Sequence, residues 1–218
     1  MTYDTLLTDA RIVDGTGAPW FHGSVGIRDG RIEAVHRGGP VGEEAAETVD
    51  LNGLMLTPGF VDLHSHSDLR LFATPELRPK TMQGVTTEIL GQDGFSMAPM
   101  YREGGREEWE EHLSGLDGRP ERPWTWGSVE DYFDAIERSG IAPNVATLVG
   151  HGTVRYNVMG MDDRAPSDAE LEEMADLVTE ALADGARSSI PMTLYRTVPW
   201  PTSVATFGAI PLRSIASK

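Results

Sequence analysis

The stretch Pro58-Gly59-Phe60-Val61-Asp62-Leu63-His64-Ser65-His66 decides how this chain reads. Residues 59–63 form a short, mostly apolar run of the kind a buried strand needs, and two histidines follow at once. In extended backbone, residues i and i+2 project to one face, so the imidazoles of His64 and His66 can meet one ion. Imidazole nitrogens are preferred zinc ligands, at about 2.0–2.1 Å. Two surface histidines would show the same spacing, and the pair alone does not choose between these readings.

Downstream, strands alternate with helices. Residues 84–90 and 144–149 read as strands, and a fourth candidate lies near 186–190. Ser167 and Glu170 make a capping box before Leu171, Met174, Leu177, Val178 and Leu182, a helix that stops at Asp184-Gly185. A second box, Ser128 with Asp131, predicts a helix through Tyr132–Ile136. Such alternation predicts an α/β fold with parallel pairing in a wound or barrel sheet. The acidic, tryptophan-bearing connection from Met100 to Trp126, with a short helix around Glu107–Leu113, reads either as a solvated link or as a lid.

Upstream, residues 1–57 read as a small β unit. One strand carries Leu6, Leu7, Ile12 and Val13 and stops at Asp14-Gly15. Residues 24–28 and 31–35 flank Asp29-Gly30, a two-residue hairpin turn, and residues 48–51 and 54–57 flank Asn52-Gly53.

The chain has 218 residues, 18 basic and 34 acidic, for a formal charge of −16. A surface of that sign repels phosphate backbones and anionic lipid, so nucleic-acid and membrane-surface partners are not expected. There is no cysteine, which removes disulfides and thiolate chemistry; with no signal-like N-terminus, the expected location is cytoplasmic. All 34 acids lie within the first 184 residues, and the remainder holds Arg187, Arg196, Arg213 and Lys218.

The quoted stretch resembles the strand-one signature of the amidohydrolase superfamily, in which Pro-Gly-Phe leads into a His-x-His metal pair. Lys80–Thr87, Gly91–Pro99, and Asn144–Val149 with Gly150–Arg155 and Met159–Arg164 resemble the N-acyl-D-amino-acid deacylase (D-aminoacylase) branch over residues 1 to about 186. The resemblance implies a partial (β/α)8 TIM-like barrel over 58–186, about its first four strands, preceded by part of a β-sandwich in 1–57. It implies one or two divalent ions, zinc first with manganese or iron as alternatives, and metal-dependent hydrolysis of the amide bond of small N-acyl-D-amino acids. His64, His66 and Asp93 are the implied metal ligands. Asp93 stands where many members have cysteine; a carboxylate can bind zinc at about 2.0–2.2 Å, and a harder ligand weakens the preference for zinc. Asp93-Gly94 also reads simply as a turn.

His151, Arg155 and Tyr195 are candidate substrate-side groups, although a histidine between glycines serves a loop carbonyl equally well. His22, His36 and His112 match no motif and are expected at the surface, and the methionines near the motifs are expected to pack. The later histidine ligands and catalytic aspartate implied by the resemblance are missing, since no histidine follows His151 and no acid follows Asp184. The chain is therefore expected to be an inactive fragment with a divergent tail over 187–218, read as a frameshift or truncation ahead of a natural short variant, and able to self-associate through an open barrel edge. Two alternatives are a non-catalytic, oligomerising binding module and a cyclic-amide hydrolase. The second often carries a lysine carbamate, and no lysine stands at a matching strand end.

Overall fold

The computed structural model describes residues 3–39, 42, 44–120 and 124–188. Tyr195 and nearly all of the 187–218 tail fall outside them. The chain divides into two compact units between Gly59 and Phe60.

The first unit is a mixed five-stranded sheet. Strands β1 (Tyr3–Ile12), β2 (Phe21–Arg28) and β3 (Arg31–Arg37) run antiparallel in the order β3-β2-β1. Then β4 (Ala45–Asp50) and β5 (Met55–Leu56) pair in parallel with successive halves of β1. The turn at Asp29-Gly30 has positive φ at both residues, 50° and 69°, the twist a two-residue hairpin requires. Asn52-Gly53 also has positive φ at both residues, 48° and 71°, but it links β4 and β5, which both run parallel to β1 and form no hairpin. Ala10, Ile12 and Val25 are buried with Leu7, Phe21, Ile27, Leu51 and Leu56 around them. His36 is half-buried rather than exposed, because its ring lies 3.1 Å from the Tyr3 hydroxyl.

The second unit is α/β. Strands β6 (Phe60–Asp62), β7 (Val85–Leu90), β8 (Asn144–Val149) and β9 (Arg187–Ser188) form a sheet in chain order, every neighbour parallel. Parallel neighbours need crossovers, and helices supply them. Two one-turn helices, α1 (Arg70–Ala73) and α2 (Arg78–Thr81), lie between β6 and β7. Helices α3 (Gly105–Asp117) and α4 (Val129–Ser139) lie between β7 and β8, and α5 (His151–Met159) and α6 (Asp168–Ala183) between β8 and β9. Both sequence-read capping boxes form: Ser128 accepts from the Asp131 amide before α4, and Ser167 from the Glu170 amide before α6.

The 100–126 connection differs from the reading as a solvated link. Its helix α3 runs 13 residues, and Trp109, Leu113, Trp124 and Trp126 are buried in the main core with Leu69, Met97, Tyr132 and Tyr156. Trp126 stacks on Phe72 at 4.8 Å and donates its indole N–H to the Met97 carbonyl at 2.8 Å. Acidic residues on the outer face of α3 account for the polar composition, while the aromatics between them face inward. Residues 151–159, read as loop, are the helix α5. Among the described residues, no helix is long and apolar enough to cross a membrane.

Candidate metal centre

Two adjacent parallel strands end side by side, and each delivers part of a ligand set. After β6 the chain bends through Leu63 and His64 and runs on to His66; after β7 it enters a 3-10 turn, Gln92–Gly94, that carries Asp93. The imidazole centroids are 5.2 Å apart. Oδ2 of Asp93 lies 3.4 Å from Nε2 of His64 and 3.1 Å from Nε2 of His66. One ligand atom from each of the three residues lies within 4.8 Å of the others. Ligands at about 2.0–2.2 Å in a tetrahedral arrangement stand roughly 3.4 Å apart, so these atoms fit around one zinc-sized ion.

The turn that aims Asp93 is conformationally demanding. Gly91, Asp93 and Gly94 all have positive φ, at 72°, 55° and 86°. Glycine takes this region freely and aspartate is among the few other residues that tolerate it. Gly91 has a second reason to be glycine, since a Cβ there would lie 2.3 Å from the Leu148 carbonyl oxygen.

Several hydrogen bonds clamp the two strand ends together. Gln92 donates through Nε2 to the carbonyls of Leu63 and Ile89, both at 2.9 Å. The Ser65 amide donates to the Ile89 carbonyl at 3.2 Å, and the Gly91 amide to Oδ1 of Asp68 at 3.0 Å. Lys80, from α2, pairs at 2.9 Å with both Asp62 and the fully buried Glu88, and donates to Oγ of Ser65 at 2.6 Å. Ser65 in turn donates to Glu88 at 3.0 Å. Burial alone would lower the Lys80 pKa, but the bonds to Glu88 and Asp62 outweigh it and raise it. Lys80 thus ties together the side chains of Asp62 and Ser65, one on each side of His64. Neither Lys80, Glu88 nor Gln92 was identified as part of the site from sequence, although Lys80 and Gln92 fall inside the motifs quoted for the resemblance.

Two acids complete the surroundings. Asp117, the last residue of α3, places Oδ1 3.1 Å from Nδ1 of His66. Burial raises the Asp117 pKa against the opposing pull of that bond. Asp68 is wholly buried, and burial together with the Asp117 charge pushes its pKa well above the carboxylate range.

His151 opens helix α5, half-buried, and Gly150 and Gly152 on either side press against the Gly94 backbone. Burial, then the nearby Arg155 charge, lowers its pKa. The Arg155 guanidinium donates to the carbonyls of Asp162 and Arg164, which ties down the loop after α5. Met97, Met100 and Met159 are buried, whereas Met161 is exposed at the rim of a pocket of about 280 Å³ with Phe95, Trp109 and Arg155.

The sequence profile of the amidohydrolase family matches residues 47–190. The chain belongs to the amidohydrolase family. Among curated relatives, the chain is 37% identical to a D-aminoacylase of Alcaligenes xylosoxydans xylosoxydans over 84% of its own length and 36% of the relative's. It is 38% identical to an N-acyl-D-aspartate deacylase of the same organism, over 88% of its own length and 37% of the relative's. Among solved structures it is similar to the N-acyl-D-glutamate deacylase of Bordetella bronchiseptica, complexed with zinc and a phosphonate mimic of the tetrahedral intermediate. That match has a TM-score of 0.74 and 36% identity, covering 86% of this chain and 38% of the solved one. The chain thus spans a little over a third of the length of these relatives.

Proposed function

We propose that this chain supplies His64, His66 and Asp93 as ligands to a divalent metal, zinc foremost, in a hydrolase that cleaves the amide bond of N-acyl-D-amino acids. The observation that carries the reading is the convergence of two imidazoles and one carboxylate at the ends of neighbouring parallel strands. The named activities of the similar proteins and the zinc in the Bordetella structure point the same way. When bound, the ion supplies Lewis acidity toward the amide carbonyl and makes water nucleophilic near neutral pH. The protein's own contribution is to hold the ligands rigid: Gln92, Lys80 and Ser65 join the strand ends, and the Asp93 turn is fixed by glycines on either side.

In this reading the four parallel strands are the opening part of a β/α barrel, with site residues beyond their C-terminal ends as barrel enzymes place them, and residues 1–57 are part of a β-sandwich. His151, neutral near pH 7 because of its burial, serves the substrate side, with Arg155 shaping the adjoining loop and Tyr195, outside the described residues, as a further contact. The 218 residues contain no histidine after His151 and no acid after Asp184, so the remaining ligands and base that the resemblance implies are not among them. Metal uptake without turnover is the expected behaviour of this chain by itself.

A second reading, a self-associating module without catalysis, is favoured by one feature. Strand β6 is an edge among the described strands, and Phe60, Val61 and Leu63 are exposed along it. Zinc titration of the purified chain, with N-acetyl-D-glutamate and its L enantiomer added afterwards, separates these cases. Metal binding with D-selective shifts in the spectra of His64 and His66 supports the first reading. A metal-indifferent dimer supports the second, and hydrolysis by the chain alone overturns the expectation of inactivity.

A further inference from the structure

Asp117 is an expensive residue where it stands. It closes helix α3, where the helix dipole disfavours a negative charge. It is 1% exposed, and its Oδ2 atom is buried with no hydrogen-bond partner. A buried carboxylate with an unmatched oxygen costs stability, and an apolar residue at that helix end would avoid the cost. Among the described residues its single side-chain partner is the Nδ1 atom of His66, at 3.1 Å, while the other ring nitrogen of His66 faces Asp93.

The end of α3 is also held against the histidine segment by its backbone. The Leu69 amide donates to the Asp117 carbonyl at 3.3 Å. Gly118, at φ 84°, leaves room for Arg70, whose Cβ would lie 3.2 Å from a side chain placed there. The carboxylate therefore keeps its position relative to His66 through contacts independent of the imidazole.

We propose that Asp117 is a positioning residue for His66: it accepts the Nδ1–H, fixes the ring plane, and so presents the Nε2 lone pair to the metal. The inference rests on the metal-binding reading above and assigns the purpose of α3, which is to carry one carboxylate from the core to the back of a ligand. Outer partners of this type orient metal-bound histidines and raise their basicity.

The test measures zinc affinity of the full 218-residue chain by chelator competition, together with the ring nitrogens of His66 in two-bond proton–nitrogen spectra. In the zinc-loaded wild-type protein, His66 should show a protonated, slowly exchanging Nδ1. Asp117→Ala should bind zinc about 10- to 100-fold more weakly and lose that slow proton, while the His64 signals stay in place. Asp117→Asn, which keeps an acceptor oxygen, should recover most of the affinity. A folded Asp117→Ala protein with zinc affinity within twofold of wild type overturns the proposal and leaves the metal reading intact. Should Asp117→Ala fail to fold, the wild-type spectrum decides, and an unprotonated Nδ1 overturns the proposal. A wild-type chain that binds no zinc overturns the metal reading, and this inference with it.

Discussion

Oδ2 of Asp93 lies 3.1 Å from Nε2 of His66, and Asp93 holds it there from a left-handed backbone at φ 55°. The position makes two demands, a tolerance for that conformation and an anionic oxygen. Asparagine meets only the first. Asp93→Asn should therefore leave the unfolding free energy within about 0.5 kcal/mol and weaken zinc binding at least tenfold, by the order seen when metal-site partners are lost. Paired denaturation and chelator-competition curves would show it. Equal loss in both would mean the carboxylate serves the turn and not a metal.

Lys80 answers to a different constraint. It is the cation placed against buried Glu88, and it also bonds Asp62 and Ser65. Removing one member of such a pair leaves an uncompensated buried charge. Lys80→Met should destabilise the second unit by about 3 kcal/mol. Adding Glu88→Gln should return a large part of that, because the stranded charge disappears. Urea denaturation of the single and double variants measures this coupling, and simple additivity would count against it.

Gly150 allows a test of the Asp93 turn that leaves all three ligands in place. A Cβ at residue 150 would sit 2.4 Å from the Gly94 carbonyl oxygen, a backbone atom that yields only if the turn moves. Gly150→Ala should cost about 1–3 kcal/mol, as overpacking does, and lower zinc affinity as the turn shifts. If stability falls while metal affinity does not, the turn relaxes without displacing Asp93.

Part of the candidate site's geometry is legible in the sequence. His64 and His66 are two residues apart, so their closeness is local. Both lie beyond the end of β6, however, and the bend through His64 takes the place of the strand periodicity the sequence suggests. The Ser128 and Ser167 capping boxes are local as well, and both helices begin where they mark. Asp93 was reachable through resemblance, but its approach to His66 depends on β6 and β7 lying side by side in parallel. Asp117 could not be read at all. It sits 51 residues from His66, at the end of a helix whose composition is that of a solvated segment, and only packing of Trp109 and Leu113 into the core brings it there. Helix α5 was missed for a related reason: Gly150-His151-Gly152-Thr153 lacks a side-chain cap, and its start is set by the Gly150 amide donating to Oγ of Ser96 at 3.0 Å.

His151 sits where burial, the Arg155 charge and the positive end of α5 all disfavour an imidazolium. Its folded pKa therefore lies below the unfolded value of about 6.5. Between the two values the unfolded chain binds more protons at this residue than the folded one does. The contribution to stability is thus fully present above pH 6.5 and is lost as pH falls toward the lowered folded value. His151→Gln should flatten the decline in unfolding free energy as pH falls below about 6.5, every other histidine being common to both proteins. Urea denaturation at half-unit pH steps measures the two slopes. Identical slopes would mean that His151 takes up a proton as readily folded as unfolded, and that burial does nothing to keep its imidazole neutral.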